Sequence, residues 1–258
     1  MNIVVCVKIA PDPEDLEIGS DGSVSTAHAE WSIGGFDLPA LEAGVRLAEI
    51  HGGKVIALSA GPSSINQSKI KKDILSRGAD ELVLVVDETL QDASTAETAR
   101  VLAAAIHKME DVQLAFFGEG SADLYFQQTG AQVGERLGWL CLNAVQDVRF
   151  IEHGMLEIQR TLDVEMQVLD VPLPAALSVT SDICEPRLAS MRAILQASRK
   201  PVIEWSLADI GIENLAASVE ILAVQAPPRT SRKGVVLGGS VEEAVRSLLN
   251  NLKKEGVL

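Results

Sequence analysis

The residues best placed for chemistry lie in three glycine-bearing segments: Ile33-Gly34-Gly35-Phe36-Asp37, Ser59-Ala60-Gly61-Pro62 and Phe117-Gly118-Glu119-Gly120-Ser121-Ala122-Asp123. The third runs on into Gln127-Gln128-Thr129-Gly130. Glycines that close an apolar run let the backbone turn tightly and approach a ligand. A Gln-Gln-Thr stretch where a helix begins offers amides and hydroxyls to a phosphate. The stretch matches neither a Walker loop nor a GxGxxG fingerprint. On residue types alone it reads equally as a mononucleotide cradle and as an ordinary turn between strand and helix.

Catalytic sets are missing from the sequence. His28, His51, His107 and His153 fall in expected helix ends or loops and read as surface residues. There is no GxSxG elbow, HExxH helix or Cys–His arrangement. Asp12, Glu14 and Asp15 read as a solvated loop rather than as paired acid–base carboxylates. Cys6, Cys141 and Cys184 are odd in number and far apart, without a CxxC, so neither a disulfide framework nor a metal site is indicated. Cys6 sits in an apolar run and reads as a small core residue.

A further segment mixes apolar and basic residues: Ser181-Asp182-Ile183-Cys184-Glu185-Pro186-Arg187-Leu188-Ala189-Ser190-Met191-Arg192. A flexible apolar side chain ringed by positive charge suits an adaptable protein-docking loop. Residue types alone favour a plain surface loop with one buried methionine. The basic residues Arg187, Arg192, Arg199 and Lys200, and then Arg229, Arg232 and Lys233, read by default as solvated surface.

The elements that must position these residues follow from hydropathy. Apolar residues make up 47% of the 258 and aromatics only 3%, so the core is aliphatic, as in a parallel α/β sheet. Strands are expected at 3–7, 55–59, 81–86 and 113–117. Between them, Leu38, Leu41, Val45 and Ala48 share a helical face, as do Thr98, Leu102, Ala105 and Met109, and Phe126, Gly130, Val133 and Leu137. This alternation implies a doubly wound, mostly parallel sheet. Runs at 144–150, 156–161 and 166–171 predict added antiparallel strands, with His153-Gly154 as a hairpin turn. Residues 175–179, framed by Pro172, Pro174 and Pro186, form one more strand. Residues 1–200 read as a nucleotide-binding α/β domain, with a candidate loop at about 182–195. Residues 201–258 read as an extended arm that docks on its own domain or on a partner. The arm contains the polyproline-like Ala226-Pro227-Pro228-Arg229 and ends in a helix opened by the capping box Ser240/Glu243, with Val241, Val245, Leu248 and Leu252 on one face.

The net charge of −14, from 22 basic and 36 acidic residues, repels phosphate backbones and argues against a nucleic-acid partner. The chain opens directly on an apolar strand, and no apolar run approaches the ~20 residues of a membrane span. A cytoplasmic location is therefore expected.

Over nearly its whole length the sequence resembles the β subunits of electron-transfer flavoproteins, especially the Fix-type members of anaerobic acyl-CoA metabolism. The resemblance is carried by Ile3-Val4-Val5-Cys6-Val7-Lys8, Gly35-Phe36-Asp37 leading into Glu42-Ala43-Gly44-Val45-Arg46-Leu47, Ser76-Arg77-Gly78-Ala79-Asp80-Glu81, and Asp123-Leu124-Tyr125 with Gln127-Gln128. The family signature is met by Arg160, Asp163, Glu165, Gln167, Pro174 and Leu177, with departures at Val164 and Ala176.

The resemblance implies an obligate heterodimer with a larger α subunit that holds most of a redox-active FAD. It implies AMP in this chain, at Cys6, Gly34, Gly35, Phe36, Asp37, Ala60, Gly118, Gly120, Ser121, Asp123, Gln127, Gln128 and Thr129. The last three match positions that hold the phosphate. Bifurcating, NADH-oxidising members place a second FAD there and carry an Ala-Ile-Asp-Gly-Asp-type loop. Here Ser121-Ala122-Asp123-Leu124-Tyr125 stands instead, which favours AMP and keeps a second FAD open. Arg187, Leu188, Met191 and Arg192 match the recognition loop that grips acyl-CoA dehydrogenases, with Met191 at the anchor position usually held by leucine. The implied role is a non-enzymatic carrier in fatty acid metabolism, passing electrons to a quinone oxidoreductase-type or soluble acceptor. The alternative, a stand-alone ATP-hydrolysing protein of the universal-stress type, needs a triphosphate loop, whereas the sequence offers one of single-phosphate size.

Overall fold

Short runs of β-branched and aliphatic residues, separated by amphipathic stretches, assemble into one nine-stranded sheet with helices on both faces. The computed structural model describes residues 1–151, 154–215, 219–227 and 233–258. The chain runs β1 (Asn2–Cys6), β2 (Ile9–Pro11), β3 (Glu17–Ile18), β4 (Val24–Ser25), β5 (Trp31–Ile33), α1 (Asp37–His51), β6 (Lys54–Gly61), α2 (Ser68–Ser76) and β7 (Glu81–Val86). It continues through α3 (Thr95–Lys108), β8 (Val112–Gly118), α4 (Thr129–Leu137), β9 (Leu140–Phe150), β10 (Met155–Thr161), β11 (Met166–Pro172), β12 (Ala175–Val179), α5 (Met191–Ala197), β13 (Val202–Trp205) and α6 (Val241–Lys254).

The strand order is β11-β10-β9-β12-β8-β1-β6-β7-β13. Pairings from β9 across to β13 are all parallel, and β10 pairs antiparallel with both β9 and β11. This is the expected doubly wound sheet with added antiparallel strands. Alternation along β1 sends Ile3 and Val5 to the layer under α1 and α2, and Val4 and Cys6 to the layer under α3 and α4. Among their buried side chains both layers are aliphatic apart from Phe116, Phe117 and Cys6.

Several expectations need adjustment. The periodicity puts Phe126 on one helical face with Gly130, Val133 and Leu137, but that helix begins only at Thr129 and Phe126 is exposed. The backbone takes positive φ at Tyr125 (48°) and Gln127 (56°), which no right-handed helix can include. Strand β9 starts at Leu140 rather than 144. It switches partners from β12 to β10 around Ala144, whose φ of 56° kinks the ladder. Helix α3 stops one residue before Met109. His153 of the expected hairpin turn lies outside the described residues, as do Pro228, Arg229 and Arg232.

Beyond residue 200 the chain still contributes to the sheet. Val202–Trp205 pairs with β7, and Leu207, Ile210 and Ile212 join the core layer under α3. The arm then touches the β3–β4 hairpin, where Ser23 bridges Gln225 and Ala226 N–H donates to Gly22 O at 2.8 Å. Helix α6 is opened by the expected Ser240/Glu243 capping box, and no residue of it is buried. No helix of the described residues is long and apolar enough to cross a membrane.

Candidate functional site

From β1 the chain winds outward to β6 and β7, then returns to lay β8 on the other side of β1. The gap beyond the carboxyl ends of β1 and β8 is thus the topological switch point, where open α/β sheets hold ligands. Cys6, the last residue of β1, pairs with Leu58 on one side and Phe117 on the other. Ala60 lies two residues beyond Leu58, at the carboxyl end of β6. The three glycine-bearing segments therefore meet at one edge of the sheet.

Asp37 fastens this edge. Lys8 N–H donates to its Oδ2 at 2.6 Å and Gly118 N–H to its Oδ1 at 3.2 Å, so one carboxylate bridges the ends of β1 and β8. Gly34 N–H donates to Lys8 O at 2.8 Å, which holds the α1 entry turn against the same strand end. The fit leaves no room for side chains. A Cβ on Gly118 would lie 2.6 Å from both Asp37 Oδ1 and Phe36 O, and one on Gly34 would lie 2.9 Å from Asp37 Oδ2. Asp37 is buried. Burial pushes its carboxyl up from 3.8 to about 7, while the N–H bonds from Lys8 and Gly118 and the nearby Lys8 charge pull partly the other way. Burial, seconded by the Asp37 charge, raises the Cys6 thiol well above its ordinary value, which makes it a packing group rather than a nucleophile.

The loop from Gly118 to Gln128 forms the other wall. Asp123 accepts from Lys8 Nζ at 2.5 Å, which ties the loop to the end of β1. Burial acts to raise the Asp123 carboxyl, but bonds from Lys8 and Ser121 outweigh it and hold it below its usual range. The Tyr125 ring leans on Phe36 with centroids 5.1 Å apart, and a Cβ on Gly120 would run into the Tyr125 ring. Gln128 precedes the first residue of α4, Thr129, and Thr95 Oγ1 donates to Gln128 Oε1 at 3.1 Å. No side chain caps the start of α4. Gly130 lets that start sit against the sheet, since a Cβ there would lie 2.3 Å from Ser178 Oγ.

Gly34, Phe36, Asp37, Gly118 and Asp123 are thus tied together through Lys8, with Cys6 and Ala60 at the strand ends below, while Gln128 is held separately by Thr95 and Gln132. A Cβ on Gly35 would meet nothing within 4 Å, so sterics do not demand a glycine there. The result is a closely packed strand-end site at the switch point, with the uncapped N-terminus of α4 beside it. Among the described residues no three His, Cys, Asp or Glu side chains group to hold a metal, and His28, His51 and His107 are exposed.

The second predicted site is an outward-facing segment before and within α5. Leu188 is 91% and Met191 76% exposed, with Leu195 and Ile194 beside them. Met191 is therefore exposed, not the buried methionine of the plain-loop reading. Arg192 is also exposed, while Arg187 turns inward. Its guanidinium bonds Glu42 and Glu49 of α1, and Lys200 Nζ donates to Leu75 O at 2.9 Å and Ala79 O at 2.6 Å. These two cations are structural ties, not the solvated surface that composition indicated.

The signature hairpin is knitted by its own polar residues. Arg160 Nε donates to Gln167 Oε1 at 2.9 Å, and Gln167 Nε2 donates to Glu165 Oε1 at 2.6 Å, while Val164 stands exposed at the turn. Sequence reasoning passed over Lys8, Thr95, Glu42 and Glu49 as site residues. Only one local signal bore on them, the Ser94/Glu97 capping-box spacing that opens α3 beside Gln128.

A family model described as the electron transfer flavoprotein domain matches residues 21–210. The matched span includes α1, the loop after β8, the signature hairpin and the Leu188–Met191 segment. The chain belongs to the electron transfer flavoprotein family, whose proteins carry electrons rather than turn over a substrate.

Proposed function

We propose that this chain is the β-type subunit of a heterodimeric electron-transfer flavoprotein of the Fix-type branch. It works with a larger α subunit that carries most of the redox-active FAD. It receives electrons from an acyl-CoA dehydrogenase of fatty acid metabolism and passes them to a quinone oxidoreductase-type or soluble acceptor. The observation that carries this reading is the crevice at the β1/β8 switch point, within a chain of this family.

AMP would lie in this switch-point crevice. Gly34 and Gly118 let the α1 entry turn close against the strand ends, and the uncapped start of α4 at Gln128-Thr129 would offer its free N–H groups to a single phosphate. Bound there, AMP supplies no redox chemistry, and the surrounding residues bind and orient it. Leu188 and Met191 supply an exposed apolar anchor for the dehydrogenase, and Arg192 adds positive charge at its rim.

Co-expression with the flavin-carrying partner tests this. A yellow heterodimer that releases AMP on denaturation is expected. Release of a second FAD instead of AMP would move the chain to the bifurcating branch. A stable, colourless monomer that hydrolyses ATP would overturn the proposal in favour of a universal-stress-type protein.

A further inference from the structure

Glu42 lies in the second turn of α1 and is 3% exposed, a depth at which an unpaired carboxylate is strongly disfavoured. It is fully engaged. Arg187 donates to it from Nε at 2.6 Å, from Nη2 at 3.2 Å and from its backbone N–H at 3.3 Å, and Arg46 Nε adds a fourth bond at 2.5 Å. Two turns further along the same helix, Glu49 takes the outer edge of the same guanidinium at 2.7 and 3.0 Å. One arginine is thus held by two carboxylates on one rigid helix, an arrangement that needs the planar fork of a guanidinium. Burial acts to raise the Glu42 carboxyl, but the two arginines outweigh it and hold it below its usual range.

The neighbouring backbone is fastened to the same surface. Arg46 Nη2 donates to Glu185 O at 3.0 Å, Arg77 Nη1 to Arg187 O at 3.3 Å, and Cys184 Sγ to Pro39 O at 3.4 Å. The side chains immediately beyond, Leu188 and Met191, make no comparable inward commitment and project into solvent. The backbone leading into the exposed anchor is therefore set by these polar ties, while α5, which Met191 begins, packs on α2 through the buried Ala197.

We infer that Glu42 is a positioning residue for docking: acting through Arg187, it fixes the backbone from which Leu188 and Met191 are presented to the partner protein. The inference rests on the docking role proposed above for that segment. It assigns Arg187 to the support of the docking surface and leaves Leu188, Met191 and Arg192 as its contacting face. A loop held in place before contact loses less side-chain and backbone freedom on association, which lowers the barrier to a tight encounter.

The test uses the flavin-loaded heterodimer with a purified acyl-CoA dehydrogenase and its acyl-CoA as electron donor. Glu42→Gln is expected to raise the KM for the dehydrogenase about tenfold, the size of ordering two or three extra side chains at docking, with kcat and flavin content unchanged. Amide exchange in residues 184–195 should quicken while the rest of α1 keeps its protection. Glu49→Gln, which removes only the exposed outer grip, should shift both readouts in the same direction by less. Arg187→Lys should not rescue, and Glu42→Gln should add nothing in an Arg187→Leu background. Unchanged exchange and KM in Glu42→Gln would overturn the inference, and so would additive effects of Glu42→Gln and Arg187→Leu. Met191→Ala separates the two layers of the reading. An unchanged KM in that variant brings down the docking role itself, whereas a raised KM there with a normal one in Glu42→Gln brings down only the role of Glu42.

Discussion

Asp37→Asn removes the titrating group that clamps β1 to β8 and leaves a side chain of nearly the same shape. In the wild type the carboxyl is buried and raised from 3.8 to about 7. A folded-state value above the unfolded one means that the folded protein holds its proton more tightly between those limits. The stability this provides is fully present below pH ~4, falls as the pH rises through ~7, and is gone above that. At ~1.4 kcal/mol for each tenfold change in proton affinity, the full span amounts to about 4 kcal/mol. The asparagine cannot titrate, and its NH2 faces one of the two N–H donors now held at 2.6 and 3.2 Å. That mismatch adds a roughly constant offset of about 1–3 kcal/mol, which leaves the slope untouched. Urea unfolding of both proteins from pH 4 to pH 8.5 measures the difference and cancels the titration of the other carboxylates. The wild type should lose up to about 4 kcal/mol relative to Asp37→Asn between pH ~4 and ~7.5, then run parallel to it. Parallel curves over the whole range would refute the assignment of a raised, buried Asp37, and a wild type that gains relative stability with pH would reverse its sign.

Gly118→Ala places a methyl 2.6 Å from Asp37 Oδ1 and Phe36 O, so the urea midpoint should fall by an amount worth about 1–3 kcal/mol and the bound nucleotide should be lost on purification. Met191→Ala truncates an exposed anchor and should weaken docking to the dehydrogenase by about 2 kcal/mol, read as a KM increase near thirtyfold with the flavin spectrum intact. Lys8→Met removes the tie to Asp123 and frees the loop after β8, so nucleotide affinity should fall while the melting temperature changes little; an unchanged affinity by calorimetry would show that the loop is held by other contacts.

The sheet was legible where local pattern decides structure. Short β-branched apolar runs such as Val55-Ile56-Ala57-Leu58 favour a buried parallel strand, and Leu41 and Val45 mark the inner face of α1. The terminal helix was legible from one capping box. Short elements carried too little local signal: the two- and three-residue strands β2 to β5, the four-residue edge strand β13, the nine-residue α2 and the seven-residue α5. Phe126 fitted a helical period, but the turn before α4 uses positive φ at Tyr125 and Gln127, residue types that give no warning of it.

The site divides in the same way. The strand-end glycines announced themselves because glycine closing an apolar strand has a specific backbone use. What connects them did not. Asp37 reaches Gly118 across 81 residues of sequence, Lys8 reaches Asp123 across 115, and Glu42 reaches Arg187 across 145. Such pairs follow from the winding of β1, β6, β7 and β8, so no spacing rule applied to the sequence exposes them. Arg187 is the clearest case, since its composition and neighbours suggested an outward charge and its partners turn it inward.

The proposed role is tested most directly by anaerobic reduction of the partner's flavin. The flavin-carrying subunit, alone and paired with this chain, is mixed with an acyl-CoA dehydrogenase and its acyl-CoA, and the flavin absorbance is followed. Rapid bleaching in the heterodimer, with slow or no bleaching of the isolated flavin-carrying subunit, is the predicted result. Equal bleaching with and without this chain would contradict it, because the chain would then neither position the flavin nor connect it to its electron donor.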